Sequence, residues 1–113
     1  MLFNKIYMNS IQLPGYANLT AIKLIVWLEG EANYTRVHYQ DGTTTLVTKS
    51  LNHFEQYGHF VRVHRSIMVN SVYVHEFTSN KGRSGLLRLS TGTRVPVSRT
   101  HLPMVGSLFG VKQ

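Results

Sequence analysis

Two turn dipeptides constrain this chain most. Asp41-Gly42 and Thr91-Gly92 each lie between short runs rich in β-branched and aromatic residues. A glycine free to take positive φ between such runs is the local signature of a tight β-hairpin. Before the first turn, residues 34–39 alternate: Thr35, Val37 and Tyr39 fall on one face, Tyr34, Arg36 and His38 on the other. Residues 44–48 return as the partner strand, and residues 86–89 and 93–97 flank the second turn in the same way. Wound into a helix, a period of two would scatter these apolar residues around the cylinder. The expected fold is therefore mainly β, with small antiparallel sheets and one or two short helices.

The remaining segments fit that plan. Residues 22–28 are apolar and β-prone and read as a buried strand, and residues 60–63 and 67–77 as further strands. Ser50 is placed to cap a short helix carrying Leu51, Phe54 and Glu55, ended by Gly58. The composition of residues 79–85 is that of an exposed loop, and Pro14-Gly15 reads as a turn. Leu102, Val105, Leu108 and Phe109 recur at helical spacing, so the tail should end in a short helix on the sheet. Tyr34, Tyr39 and Trp27 read as packing residues. With 113 residues, 42% of them hydrophobic, the chain is expected to be a single domain over residues 1–113.

Several functions lose their chemical basis here. With no cysteine there is no disulfide staple, thiolate zinc site or thiol nucleophile. The first residues do not form a signal peptide, and the longest apolar run, 24–28, is too short to cross a bilayer. A cytoplasmic setting is expected. The six histidines show no metal-ligand spacing, so neither metal nor cofactor is expected. Five carboxylates, no glycine-rich phosphate loop, and a His64–Ser66 pair with no third group to orient it argue against an enzyme.

Charge points to an anionic partner. The net charge is +7, and all of the excess lies after residue 56. Residues 1–56 carry four Lys or Arg against four Asp or Glu, whereas residues 57–113 carry eight, six of them arginine, against Glu76 alone. The planar guanidinium suits phosphate and guanine. No basic amphipathic helix is visible, so nucleic acid is favoured over a membrane surface.

Four segments in order carry a family likeness: Trp27-Leu28-Glu29-Gly30-Glu31-Ala32-Asn33-Tyr34-Thr35; Lys49-Ser50-Leu51; the crowded polar strand from Phe60 through Arg62, Val63, His64, Arg65 and Ser66 to Asn70; and Gly92-Thr93-Arg94-Val95-Pro96-Val97-Ser98-Arg99. Over roughly residues 20–105 the chain resembles LytTR DNA-binding domains, the output modules of many bacterial response regulators. The resemblance implies an elongated β-β-β fold and sequence-specific binding of double-stranded DNA in transcription regulation. Loops between strands would enter successive major grooves. It further implies base contacts by Thr35, Arg65 and Arg99 and phosphate contacts by Arg36, Ser66 and Thr100, with Lys49 and Arg62 as lesser candidates. His64 is read both ways, as a DNA contact and as a brace between strands. Arg65 and Arg99 can each grip the O6 and N7 of guanine, and Thr35 can meet a thymine methyl. The resemblance leaves open a homodimer on repeated sites and a receiver domain or sensor kinase as partner. The competing reading is a β-rich protein-interaction or RNA-binding module, which would want exposed aromatics in the basic half.

Overall fold

Ten strands in three antiparallel sheets hold about half of residues 9–110, the part of the chain described by the computed structural model. Strands β1 (Ser10–Gln12) and β2 (Leu19–Ala21) pair around Pro14-Gly15, where Gly15 takes φ 87° and the Tyr16 N–H donates to the Leu13 carbonyl at 3.0 Å. The central sheet has five strands: β3 (Ile25–Glu31), β4 (Tyr34–Tyr39), β5 (Thr44–Val47), β6 (Phe60–His64) and β7 (Ile67–Asn70). Their order across the sheet is β5-β4-β3-β7-β6. Strands β8 (Val74–Asn80), β9 (Ser84–Leu89) and β10 (Arg94–Val97) form the third sheet in the order β10-β9-β8. A single α-helix, α1 (Leu102–Phe109), follows. No helix among the described residues is long and apolar enough to cross a membrane.

The two predicted hairpins have one geometry. Gly42 and Gly92 adopt φ 88° and 93°, and their N–H groups donate to Tyr39 and Leu89 at 3.0 and 2.8 Å. Each is a three-residue loop closed by a left-handed glycine. In the first, Asp41 Oδ1 accepts from the Thr43 N–H at 2.9 Å and from its hydroxyl at 2.6 Å. These bonds to the charged form hold the Asp41 carboxyl below the usual carboxylate range.

Alternation along the strands sends side chains into two cores, one on each face of the central sheet. Leu28, Val37, Val47 and Met68 join Ile11, Leu13, Leu51 and Phe54 on one side. Val63, Ile67 and Val69 join Leu87, Leu89, Val95, Val97, Leu102 and Val105 on the other, under the third sheet and α1. Every residue of β7 is buried as a result. Gly85 permits the second core to close, because a β-carbon there would lie 2.6 Å from Leu102 Cδ2 and 3.0 Å from the Phe77 ring.

The structure corrects four local expectations. Residues 22–24 form a 3-10 turn before β3, which leaves Lys23 and Leu24 outside while Ile22 stays buried. The stretch 67–77 is broken by a second 3-10 turn, Ser71–Tyr73, where the chain passes from the central sheet to the third. Asn70 makes that break possible. Its buried amide donates to the carbonyls of Ile22 and Ile25 at 3.2 and 2.9 Å and accepts from the Val72 N–H at 3.3 Å. The segment 79–85 is a loop only at Lys81, Gly82 and Arg83, since β8 and β9 pair out to Asn80 and Ser84. Helix 51–56 is a 3-10 helix, and Ser50 makes no side-chain cap to it. Two packing readings also shift, since Tyr34 is 44% and Leu108 56% exposed.

Candidate nucleic-acid interface

The tight turn between β6 and β7 consists of Arg65 and Ser66, and Arg62 holds it from within. The Arg62 Nε donates to the His64 carbonyl at 2.9 Å, and a terminal amine donates to the Arg65 carbonyl. Its other amine reaches Asn52 Oδ1 and Glu55 Oε2, both at 3.1 Å, tying the turn to the 3-10 helix Leu51–Gln56. His64 closes the same turn, for its Nδ1 accepts from the Ser66 N–H at 3.2 Å and lies 3.0 Å from the Ser66 hydroxyl. Partial burial, then the charges of Arg65, His101 and Arg62, push the His64 pKa below the usual histidine value. A neutral ring accepting at Nδ1 carries its proton on Nε2. What remains outside is the exposed Arg65 side chain, which pairs with no carboxylate among the described residues.

Two backbone bonds bring neighbouring segments to this turn. The Gly30 N–H donates to the Ser66 carbonyl at 2.8 Å, which brings the β3–β4 hairpin alongside. The Ser98 N–H donates to the Val63 carbonyl at 3.0 Å, which sets the short helix Arg99–His101 beside β6. Ser98 Oγ and His101 Nδ1, 2.6 Å apart, steady the second junction. Arg99 and Thr100 are exposed there, and Arg99 has no carboxylate partner among the described residues. Gly30, Ala32, Ser50, Arg62, Arg65 and Ser66 line one cleft, and exposed Lys49 precedes Ser50 at its rim.

Acidic side chains decide which cations stay free. All five carboxylates are engaged: Glu29 with His38 at 3.0 Å, Glu31 with Arg36 at 2.6 Å, Glu55 with Arg62 and Glu76 with Arg88 at 3.1 Å each, and Asp41 with Thr43. Arg36 is gripped at both Nε and a terminal amine by Glu31 and also touches Thr44 Oγ1 at 3.3 Å. The bond from Arg36 holds the Glu31 carboxyl below its usual range. Among the described residues Lys23, Lys49, Arg65, Lys81, Arg83, Arg94 and Arg99 are left without a carboxylate partner, and of these Arg65 and Arg99 stand at the two segments joined by the Ser98–Val63 bond. No three His, Asp or Glu side chains among them converge on a common point.

A family model described as the LytTr DNA-binding domain matches residues 17–110. The chain belongs to the LytTR family. Among solved structures, it is similar to one described as the LytTr DNA-binding domain of a methyl-accepting/DNA response regulator from Bacillus cereus. That match has 25% identity and a TM-score of 0.74, over 91% of this chain and 98% of that one. No curated protein sequence matches it significantly.

Within this LytTR domain the expected contact residues separate into two groups. Arg65 and Ser66 stand at the β6–β7 turn, to which the Gly30–Ser66 and Ser98–Val63 bonds join the β3–β4 hairpin and the Arg99–His101 segment, and Lys49, Arg99 and Thr100 are exposed. The others face inward or are occupied. Thr35 is a correction: it is fully buried, and its hydroxyl donates to the Lys49 carbonyl at 2.8 Å, so no thymine can reach its methyl. Thr35 alternates in phase with Val37, which puts the two on one face but does not say that this face is the covered one. Arg62 and Arg36 are half-buried and taken up by internal partners. His64 makes the bracing contacts. Asn52 and Glu55, which anchor Arg62, had no sequence signal, since their partner lies 10 and 7 residues away.

Proposed function

We propose that this LytTR domain binds double-stranded DNA sequence-specifically as a transcription regulator, with Arg65 and Arg99 reading bases in successive grooves. Lys49, Ser66 and Thr100 hold phosphates beside them, Arg62 and His64 keep the β6–β7 turn in shape, and Thr35 fixes Lys49 from behind. The observation that carries this reading is that Arg65 and Arg99, at two segments joined by a backbone bond, have no carboxylate partner in a domain whose every carboxylate is already engaged. Unneutralised arginines held at fixed turns can give up counterions and form bidentate guanine contacts at little further ordering cost.

The exposed side chains favour a duplex over single strands. Among the described residues after 56, no Phe, Tyr or Trp side chain is exposed. The basic half therefore offers splayed bases no exposed Phe, Tyr or Trp to stack on, and the exposed Tyr16 and Tyr34 lie outside it. The response-regulator context of the Bacillus cereus relative supports an output role under a receiver domain or sensor kinase in the cytoplasm. Two copies on repeated half-sites would extend the contact.

Selection from a random-sequence duplex pool, followed by titration of the selected and scrambled duplexes at fixed salt, tests this. Discrimination between the two, with a log–log salt slope near −4 to −6 for roughly four to seven neutralised phosphates, is the expected result. Equal binding to both duplexes, or stronger binding to single strands of the same sequence, would refute it.

A further inference from the structure

The turn between β8 and β9 carries Lys81 and Arg83, both exposed and both without a side-chain partner among the described residues. It is a loop of three residues, Lys81, Gly82 and Arg83. The Arg83 N–H donates to the Asn80 carbonyl at 3.0 Å, with two left-handed residues between, Lys81 at φ 53° and Gly82 at φ 71°. Glycine, asparagine and aspartate take such positions readily, whereas lysine places its β-carbon against its own carbonyl. A residue held in a sparsely populated conformation where a better one exists points to a use for its side chain.

The stem of this hairpin is locked to the element that carries Arg99. Gly82 and Ser79 line one cleft with Arg99, Leu102 and Pro103. Below the cleft, Leu102 packs so closely over Gly85 that no β-carbon fits there. The two cations at the turn therefore stand at a fixed offset from Arg99, on a three-residue turn that loses little freedom on binding. Lys81 and Arg83 have nothing to gain from each other, and their positive charge adds to that of Arg99.

We propose that the β8–β9 turn is an additional phosphate-binding site, in which Lys81 and Arg83 clamp the DNA backbone flanking the bases read by Arg99. This rests on the duplex-binding reading above. The contact is to phosphate alone, so it adds affinity and length of footprint without adding sequence preference.

The test uses the selected duplex and the double variant Lys81→Asn, Arg83→Gln. Asparagine accepts the left-handed position, so the turn is preserved, and thermal melting no lower than that of the parent chain checks this. The salt slope should become shallower by about 2, roughly 0.9 for each lost phosphate contact, with equal weakening on selected and scrambled duplexes. Hydroxyl-radical protection should recede from one end of the footprint. Trimming the duplex at that end should weaken the parent chain and leave the double variant unaffected. A parent chain that discriminates with a steep slope, beside a double variant of unchanged slope and footprint, overturns this inference alone. A parent chain with no preference for the selected duplex overturns the duplex-binding reading, and this one with it.

Discussion

Thr35 and Lys49 are joined across β4 and the end of β5 by a hydroxyl-to-carbonyl bond of 2.8 Å, one partner fully buried and the other exposed. The bond satisfies a polar group inside the sheet and sets the backbone from which the Lys49 side chain leaves toward solvent. Thr35→Val keeps the shape but strands the Lys49 carbonyl, which should cost about 1–3 kcal/mol of stability. Urea unfolding measures it. Loss of DNA discrimination with no loss of stability would mean that Thr35 touches the bases after all.

Arg65→Ala and Arg99→Ala should each weaken binding to the selected duplex by about 1–3 kcal/mol, with a much smaller loss on a scrambled duplex. Glu31→Gln should act in the other direction on both duplexes. It releases Arg36 from the carboxylate that grips it, and one added phosphate contact steepens the salt slope by about 0.9. Titration at several salt concentrations separates the two behaviours, and equal losses on both duplexes for Arg65→Ala and Arg99→Ala would remove them as base readers.

Gly85→Ala should destabilise the domain by about 1–3 kcal/mol through overpacking. The added methyl meets Leu102, Phe77 and Val97 at 2.6, 3.0 and 3.2 Å, so relief on one side tightens another. Thermal or urea unfolding reads the loss. A neutral result would show that α1 can shift from β9 without penalty.

His64 should titrate below the ordinary histidine value of about 6.5, as followed by proton NMR of the ring. Because its pKa is depressed in the folded state, the unfolded chain binds the proton more tightly. The stability tied to His64 is therefore complete above about pH 6.5 and is lost as pH falls below it. Arg65→Gln removes one of the charges that hold the value down, so the midpoint should rise in that variant. A midpoint at or above that of a free histidine, unmoved by the substitution, would contradict the arrangement.

Much of the architecture was legible because it depends on near neighbours. Asp41-Gly42 and Thr91-Gly92 specify their hairpins through bonds spanning three or four residues, and the alternation from Tyr34 to Tyr39 sorts side chains onto two faces before any folding. The basic second half and the ordered motifs from Trp27 to Arg99 likewise need only the chain itself. Alternation does not say which face another element will cover. That left Thr35 readable as a surface contact until the Leu51–Gln56 segment and β1 closed over its side of the sheet. The availability of each arginine was decided later still. Arg62, Arg88 and Arg36 meet carboxylates 7, 12 and 5 residues away, brought close by strand pairing and turn geometry, while Arg65 and Arg99 meet none. Charge is a property of the sequence, but its neutralisation depends on distance, and only the folded chain sets the distances.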